Sequence, residues 1–151
     1  MGKKYEGWLV YREEDMKRNE RFISLLKEAG ENVDLFLKVK MLEELQWKID
    51  RFHSPFHDES PQFIINRSVS PWFSELAEFY QIPVFNRAFV SRIANDKRLA
   101  HAFFRQKNIP SLETIVVSKK ELASGNTPLP FPFIVKDPLG RGGKGVQKIA
   151  D

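Results

Sequence analysis

The sequence predicts an α/β fold, a parallel sheet with crossover helices followed by a smaller mixed region, and three observations carry the prediction. Through the first ~90 residues, runs suited to strands alternate with segments of helical spacing, which is what parallel strands joined by helices produce. Further on, a glycine-rich loop stands between two short strand-like runs, as in a hairpin. The chain has 151 residues, 42% hydrophobic and 29% charged, a globular balance with room for one domain or one plus part of a second.

Taken in order, Tyr5 to Tyr11 (YEGWLVY) is short, aromatic and apolar enough for a buried strand. A charged stretch then leads into Phe22, Ile23, Leu25, Leu26 and Ala29 at helical spacing, with Gly30 where a terminating glycine would stand. Val33, Leu35, Leu37 and Val39 alternate at period two, and Met41 to Arg51 returns to a helical mix. Gln62 to Asn66 (QFIIN) reads as a strand. Ser70-Pro71 places a capping hydroxyl before a proline at the first helical position. Trp72, Phe73, Leu76, Phe79 and Tyr80 fit one face of that helix, and Pro83 to Asn86 is a brief strand.

The later region opens on a helix from Asp96 to about Lys107, with Leu99, Ala100, Phe103 and Phe104 expected inward. Glu113 to Val117 reads as a strand, and Ser118-Lys119-Lys120-Glu121 is a capping box. Gly125 and Pro128, Pro130 and Pro132 make a stiff connection. Phe133 to Lys136 and Val146 to Ile149 are strands on either side of the glycine loop.

Composition excludes several classes. With no cysteine there is no disulfide, thiolate metal site or cysteine nucleophile. No apolar run approaches the ~20 residues of a membrane helix, and no apolar h-region follows the basic start. The expectation is a soluble, cytoplasmic protein. Charge is uneven: residues 1–95 hold 14 Lys+Arg against 15 Asp+Glu, whereas residues 96–151 hold 10 against 5. Such a basic segment suits a nucleic acid, a membrane surface or a phosphorylated small molecule, or is simply solvated.

Gly140 to Gly145 (GRGGKG) is the most informative stretch. Four glycines in six positions cost folding entropy, and they let backbone N–H groups converge on a close ligand. Arg141 and Lys144 add positive charge suited to phosphate; a flexible hairpin loop is the plainer alternative. A Walker loop fails, because Gly145 follows Lys144 and Pro138 stands where its first glycine belongs. A Rossmann loop needs a helix at its last glycine, yet Val146 to Ile149 reads as a strand. A kinase loop needs valine where Gln147 stands.

Context adds more. Lys136 ends the strand before the loop, and Lys97 stands 39 positions earlier in Asn95-Asp96-Lys97. Together with Phe63 to Arg67, Val84 to Asn86, Ile109-Pro110 before Glu113-Thr114, and Phe133 to Val146, this order resembles the N-terminal part of ATP-grasp ligases, most closely the RimK group. The resemblance implies a pre-ATP-grasp α/β domain over residues 1–92 and the opening of an α+β ATP-grasp subdomain over 93–151. It further implies that Lys97 and Lys136 contact nucleotide phosphates while Gly140, Arg141, Gly142, Gly143, Lys144 and Gly145 close over them. ATP and Mg²⁺ would be the cofactors, and a small-molecule or peptide carboxylate the substrate, joined to an amine through an acyl phosphate. Asp137 departs from the family's usual proline after the strand lysine. The magnesium ligands are expected beyond Asp151, so the chain is expected to be a fragment without activity of its own.

Arg67 follows a strand at the end where α/β sheets present ligand contacts, and in the resembling family this loop faces the substrate. It is a candidate for holding an acidic substrate, beside the plain reading as a surface arginine. His53 and His57 lie four apart, but Pro55 between them disfavours the helix that would align them, so no metal site is expected. His101 reads as a surface residue. The aromatics from Trp72 to Tyr80 read as core rather than a base-stacking platform, and nucleic acid is the less favoured partner.

Overall fold

The computed structural model describes residues 5–45, 56, 59–125 and 129–150. The chain separates into two compact units, residues 1–91 and 92–151.

The first unit is built on a parallel sheet of order β2-β1-β3-β4, comprising β1 (Tyr5–Tyr11), β2 (Leu35–Met41), β3 (Phe63–Asn66) and β4 (Val84–Phe85). β1 lies between β2 and β3, with Tyr11 opposite Met41 and Val10 opposite Asn66. Its alternating side chains serve two cores. Trp8 and Val10 join Ile64, Phe73, Ala77 and Val84 on the face toward α2 (Pro71–Phe79). Leu9 and Tyr11 join Ile23 and Leu37 on the face toward α1 (Glu13–Glu31). A strand buried on both faces reads as a near-continuous apolar run, and WLVY is such a run.

Several details depart from the sequence expectations. α1 starts at Glu13, well before Phe22: Glu13, Glu14 and Asp15 form an acidic first turn that suits the helix dipole. Gly30 does not end α1. It is buried inside the helix, where a Cβ would come within 2.8 Å of the Leu35 carbonyl oxygen, and Asn32 caps the end. Val33 lies before β2 rather than in it. The predicted helix from Met41 gives way to the last residue of β2 and a 3-10 turn at Leu42–Glu44; its remainder past Leu45 lies outside the described residues, as do His53 and His57. Ser70 precedes α2 as foreseen, but its hydroxyl does not cap the helix; it accepts from Arg12 Nη2 at 3.3 Å instead. The buried face of α2 is Phe73, Ser74 and Ala77, while Trp72 is half exposed and Phe79 80% exposed. Positions 72 and 79 are seven apart and share a stripe turned away from the sheet.

The second unit takes in the end of α3 (Ala88–Asn95), a helix the sequence reading overlooked, then α4 (Lys97–Gln106) and α5 (Lys119–Ala123). Strands β5 (Phe133–Lys136) and β6 (Val146–Ile149) form the expected antiparallel hairpin. The capping box at Ser118 is present with both reciprocal hydrogen bonds. Two expectations fail. Residues 113–117 join no ladder, although their β-branched content suited a strand. No residue of α4 is buried, and Leu99 is 41% exposed. Strand propensity alone does not make a strand where no neighbouring backbone pairs with it.

Candidate functional site

The glycine loop joins β5 to β6, whose register sets Lys136 opposite Val146. The Asp137 amide donates to the Gly145 carbonyl at 3.0 Å and closes the hairpin. Asp137 then turns the chain: its Oδ1 accepts from Leu139 N at 2.9 Å, and its carbonyl from Gly140 N at 3.1 Å. Asp137 thus shapes the root of the loop.

The glycines divide into two kinds. A Cβ on Gly140 would lie 2.8 Å from the Lys144 carbonyl oxygen, so Gly140 is needed for close packing. Gly142 and Gly143 have φ of 58° and 76°, and a Cβ on either would meet nothing within 4 Å. Their left-handed backbone is the conformation that favours glycine, and the space beside them is open. That is the geometry in which successive amides can meet an anion. Lys136, Arg141 and Lys144 are all exposed around it.

The start of α4 fastens the loop. The Lys97 amide donates to the Pro138 carbonyl at 3.0 Å, and its ammonium to the carbonyls of Asp137, at 3.0 Å, and Gly140. Lys97, expected at the phosphates, therefore sits against the backbone of the loop's root. Arg141 Nη2 donates to Asn95 Oδ1 at 3.1 Å, a partner the sequence reading missed, although Asn95 adjoins the Asp96-Lys97 pair it had singled out. Asp96 caps α4 by accepting from the Arg98 amide at 2.9 Å. The Arg98 guanidinium also clasps that carboxylate, at 2.9 and 2.6 Å, and holds its pKa down to about 2. A separate groove of about 760 Å³ runs between α4 and residues 108–114, lined by Arg98, His101 and Arg105; no loop residue lines it.

The residues present suit a nucleoside triphosphate on its phosphate side: an open glycine backbone, three exposed cations and no carboxylate among the six loop residues. Among the described residues, no three His, Asp or Glu side chains gather into a metal site. No helix among them is long and apolar enough to cross a membrane.

Arg67 belongs to the first unit. Its amide donates to the Val10 carbonyl at 2.8 Å, and its guanidinium lies over the Phe22 ring, 5.2 Å from the centroid. The loop it opens is fixed by buried Asn66, the residue the sequence reading passed over as the last of a strand. Asn66 Nδ2 donates to Ser70 O at 3.1 Å and Ser74 Oγ at 2.9 Å, while its Oδ1 accepts from the Ser68 amide and hydroxyl at 3.0 and 2.6 Å.

No protein-family profile and no curated protein matches this sequence. Solved structures do match it in fold. A RimK domain ATP-grasp protein from Sphaerobacter thermophilus is similar over 97% of this chain and 54% of its own, with a TM-score of 0.68 and 16% identity. A D-alanine–D-alanine ligase from Helicobacter pylori is similar over 97% and 59%, with a TM-score of 0.66 and 16% identity. The D-alanine–D-alanine ligase of Bacillus anthracis gives 99% and 50%, a TM-score of 0.63 and 15% identity. The chain therefore shares the fold of ATP-grasp proteins and spans about half the length of these structures.

Proposed function

We propose that this chain supplies the amino-terminal α/β domain and the phosphate-binding loop of an ATP-dependent carboxylate–amine ligase acting through an acyl phosphate. The observation that carries the reading is the β5–β6 hairpin, which sets Lys136 at the mouth of a loop whose Gly142 and Gly143 have open, left-handed backbone. The shared fold with ATP-grasp ligases supports it. In this reading Lys136 places a point charge on the phosphates, and the amides of Gly142 and Gly143 donate to the same oxygens. Arg141 and Lys144 offset charge that builds on the transferred phosphoryl group, and Lys97 holds the loop's root in register. Bound ATP with its magnesium would supply the activating phosphoryl group. Arg67 would hold an acidic substrate.

Equilibrium titration with magnesium–ATP tests this reading. Saturable binding that weakens about tenfold or more in Lys136→Ala is expected, by the loss of one charge-assisted contact. Unchanged affinity in that variant overturns the assignment. A second reading, a non-catalytic module for nucleotide phosphate or nucleic acid, is favoured by the 10 Lys+Arg against 5 Asp+Glu of residues 96–151. It would show instead as affinity for long polyanions that falls steeply with salt, with no preference for ATP.

A further inference from the structure

Where α3 meets α4, consecutive residues each take a different partner. Lys97 holds the root of the glycine loop by its amide and its ammonium. Asp96 clasps Arg98, and Asn95 accepts from Arg141 Nη2 at 3.1 Å across 46 positions of sequence. The root is thus tied at Asp137, Pro138 and Gly140, and the tip is tied separately through Arg141. Arg141 is also the residue on which the tip closes: its carbonyl accepts from the Lys144 amide at 3.0 Å, over Gly142 and Gly143. Fixing its side chain therefore helps to fix where those two open backbone positions stand.

Arg98 and Arg141 differ in what holds them. Asp96 meets Arg98 with both carboxylate oxygens, at 2.9 and 2.6 Å, and the pair is neutral overall. An incoming anion would have to displace that charge-assisted pair. Arg141 is held by one neutral amide oxygen, and among the described residues no carboxylate pairs with it. The contact uses one of the five N–H donors of a guanidinium and leaves the exposed positive charge intact. A long side chain loses rotamer freedom when it grips a ligand, and a contact made beforehand reduces that loss. A neutral acceptor fixes an arginine without cancelling its charge, which a carboxylate does not.

We propose that Asn95 is a positioning residue, presenting Arg141 still charged to a polyphosphate anion bound over Gly142 and Gly143. The identity of the anion rests on the proposed nucleotide function; the hold of Asn95 on Arg141 does not. A carboxylate at position 95 would grip Arg141 more firmly and cancel the charge that the loop presents.

Two variants and two readouts test this on the full chain. Trypsin must take up the side chain it cuts beside, so the initial rate of cleavage after Arg141, against cleavage after Lys107, reports whether Arg141 is held. Asn95→Ala should speed that cleavage about fivefold, the usual net effect of one hydrogen bond, whereas Asn95→Asp should slow it or leave it unchanged. Titration with magnesium–ATP and with inorganic tripolyphosphate reads the charge. Asn95→Asp should weaken both about tenfold by neutralising Arg141, and Asn95→Ala about fivefold by loosening it. Thermal melting of both variants should match the parent, so that neither loss is unfolding.

Unchanged cleavage after Arg141 in Asn95→Ala overturns the proposal and leaves the nucleotide reading standing. An Asn95→Asp variant that protects Arg141 yet binds both anions as the parent does also overturns it, since Asn95 is then only a fastening. If the parent binds neither anion, the proposal falls together with the nucleotide reading. Binding of tripolyphosphate without magnesium–ATP removes the nucleotide reading alone.

Discussion

The two units of this chain hold their shape by different means. In the first, Leu9, Val10, Ile64 and Phe73 are wholly removed from water between a four-stranded sheet and its helices. In the second, no described residue is buried, and Leu112, Ile134 and Val146 are exposed. What organises the second unit is local: a hairpin, two capped helices and the hydrogen bonds from Lys97 to the root of the glycine loop. Burial of apolar area stabilises a fold throughout, whereas exposed polar contacts each contribute little net free energy. The first unit is accordingly a scaffold, and the second presents a loop whose backbone stays open.

The contrast can be broken most directly in the two cores. Phe73→Ala should destabilise the first unit by about 3–5 kcal/mol, the usual cost of emptying an aromatic site. Ile134→Ala on the hairpin should change stability by no more than about 0.5 kcal/mol. Denaturant titration reads both, and equal losses would contradict the distinction. Limited proteolysis extends the comparison: the stretch after Lys107, without a helix or a ladder through residue 117, should be cut before any described site in the first unit. Equal protection of both would count against it.

A smaller effect is expected at Asn66. Its replacement by alanine leaves buried Ser68 and Ser74 short of a partner, at about 1–3 kcal/mol. Denaturant titration reads the loss, and an unchanged midpoint would show that the loop holds itself without Asn66.

The smallest effect belongs to Asp96. The Arg98 guanidinium lowers its pKa from the usual carboxylate value to about 2. A depressed folded pKa means stabilisation that is complete above the unfolded value, near ~4, and lost as pH falls through about 2. Circular dichroism during acid titration should show α4 fraying in that window, a feature that Asp96→Asn abolishes. The pair is exposed on the arginine side, so the change is small.

How much was legible in the sequence follows the same division. β1, β3, β5, β6 and the helix after Ser70 stand close to where period and turn residues put them, because their signals are local. Gly30 misled: a glycine near a helix end ordinarily terminates it, yet here the crossing of Leu35 requires the missing side chain. Residues 113–117 misled in the opposite way, having strand composition but no partner. At the glycine loop, sequence singled out the right kind of backbone at Gly142 and Gly143 but not the fastening of Arg141 to Asn95, 46 residues apart.

Sequence by itself determined the alternation of elements, the hairpin around the glycines and the resemblance to ATP-grasp ligases, since each depends on residue type and short spacing. Tertiary structure alone decided which face of α2 is buried, where the ammonium of Lys97 rests, and that Arg12 and Arg67 end neighbouring strands. Those facts depend on strand order and register, which bring together residues dozens of positions apart and leave no trace in local periodicity.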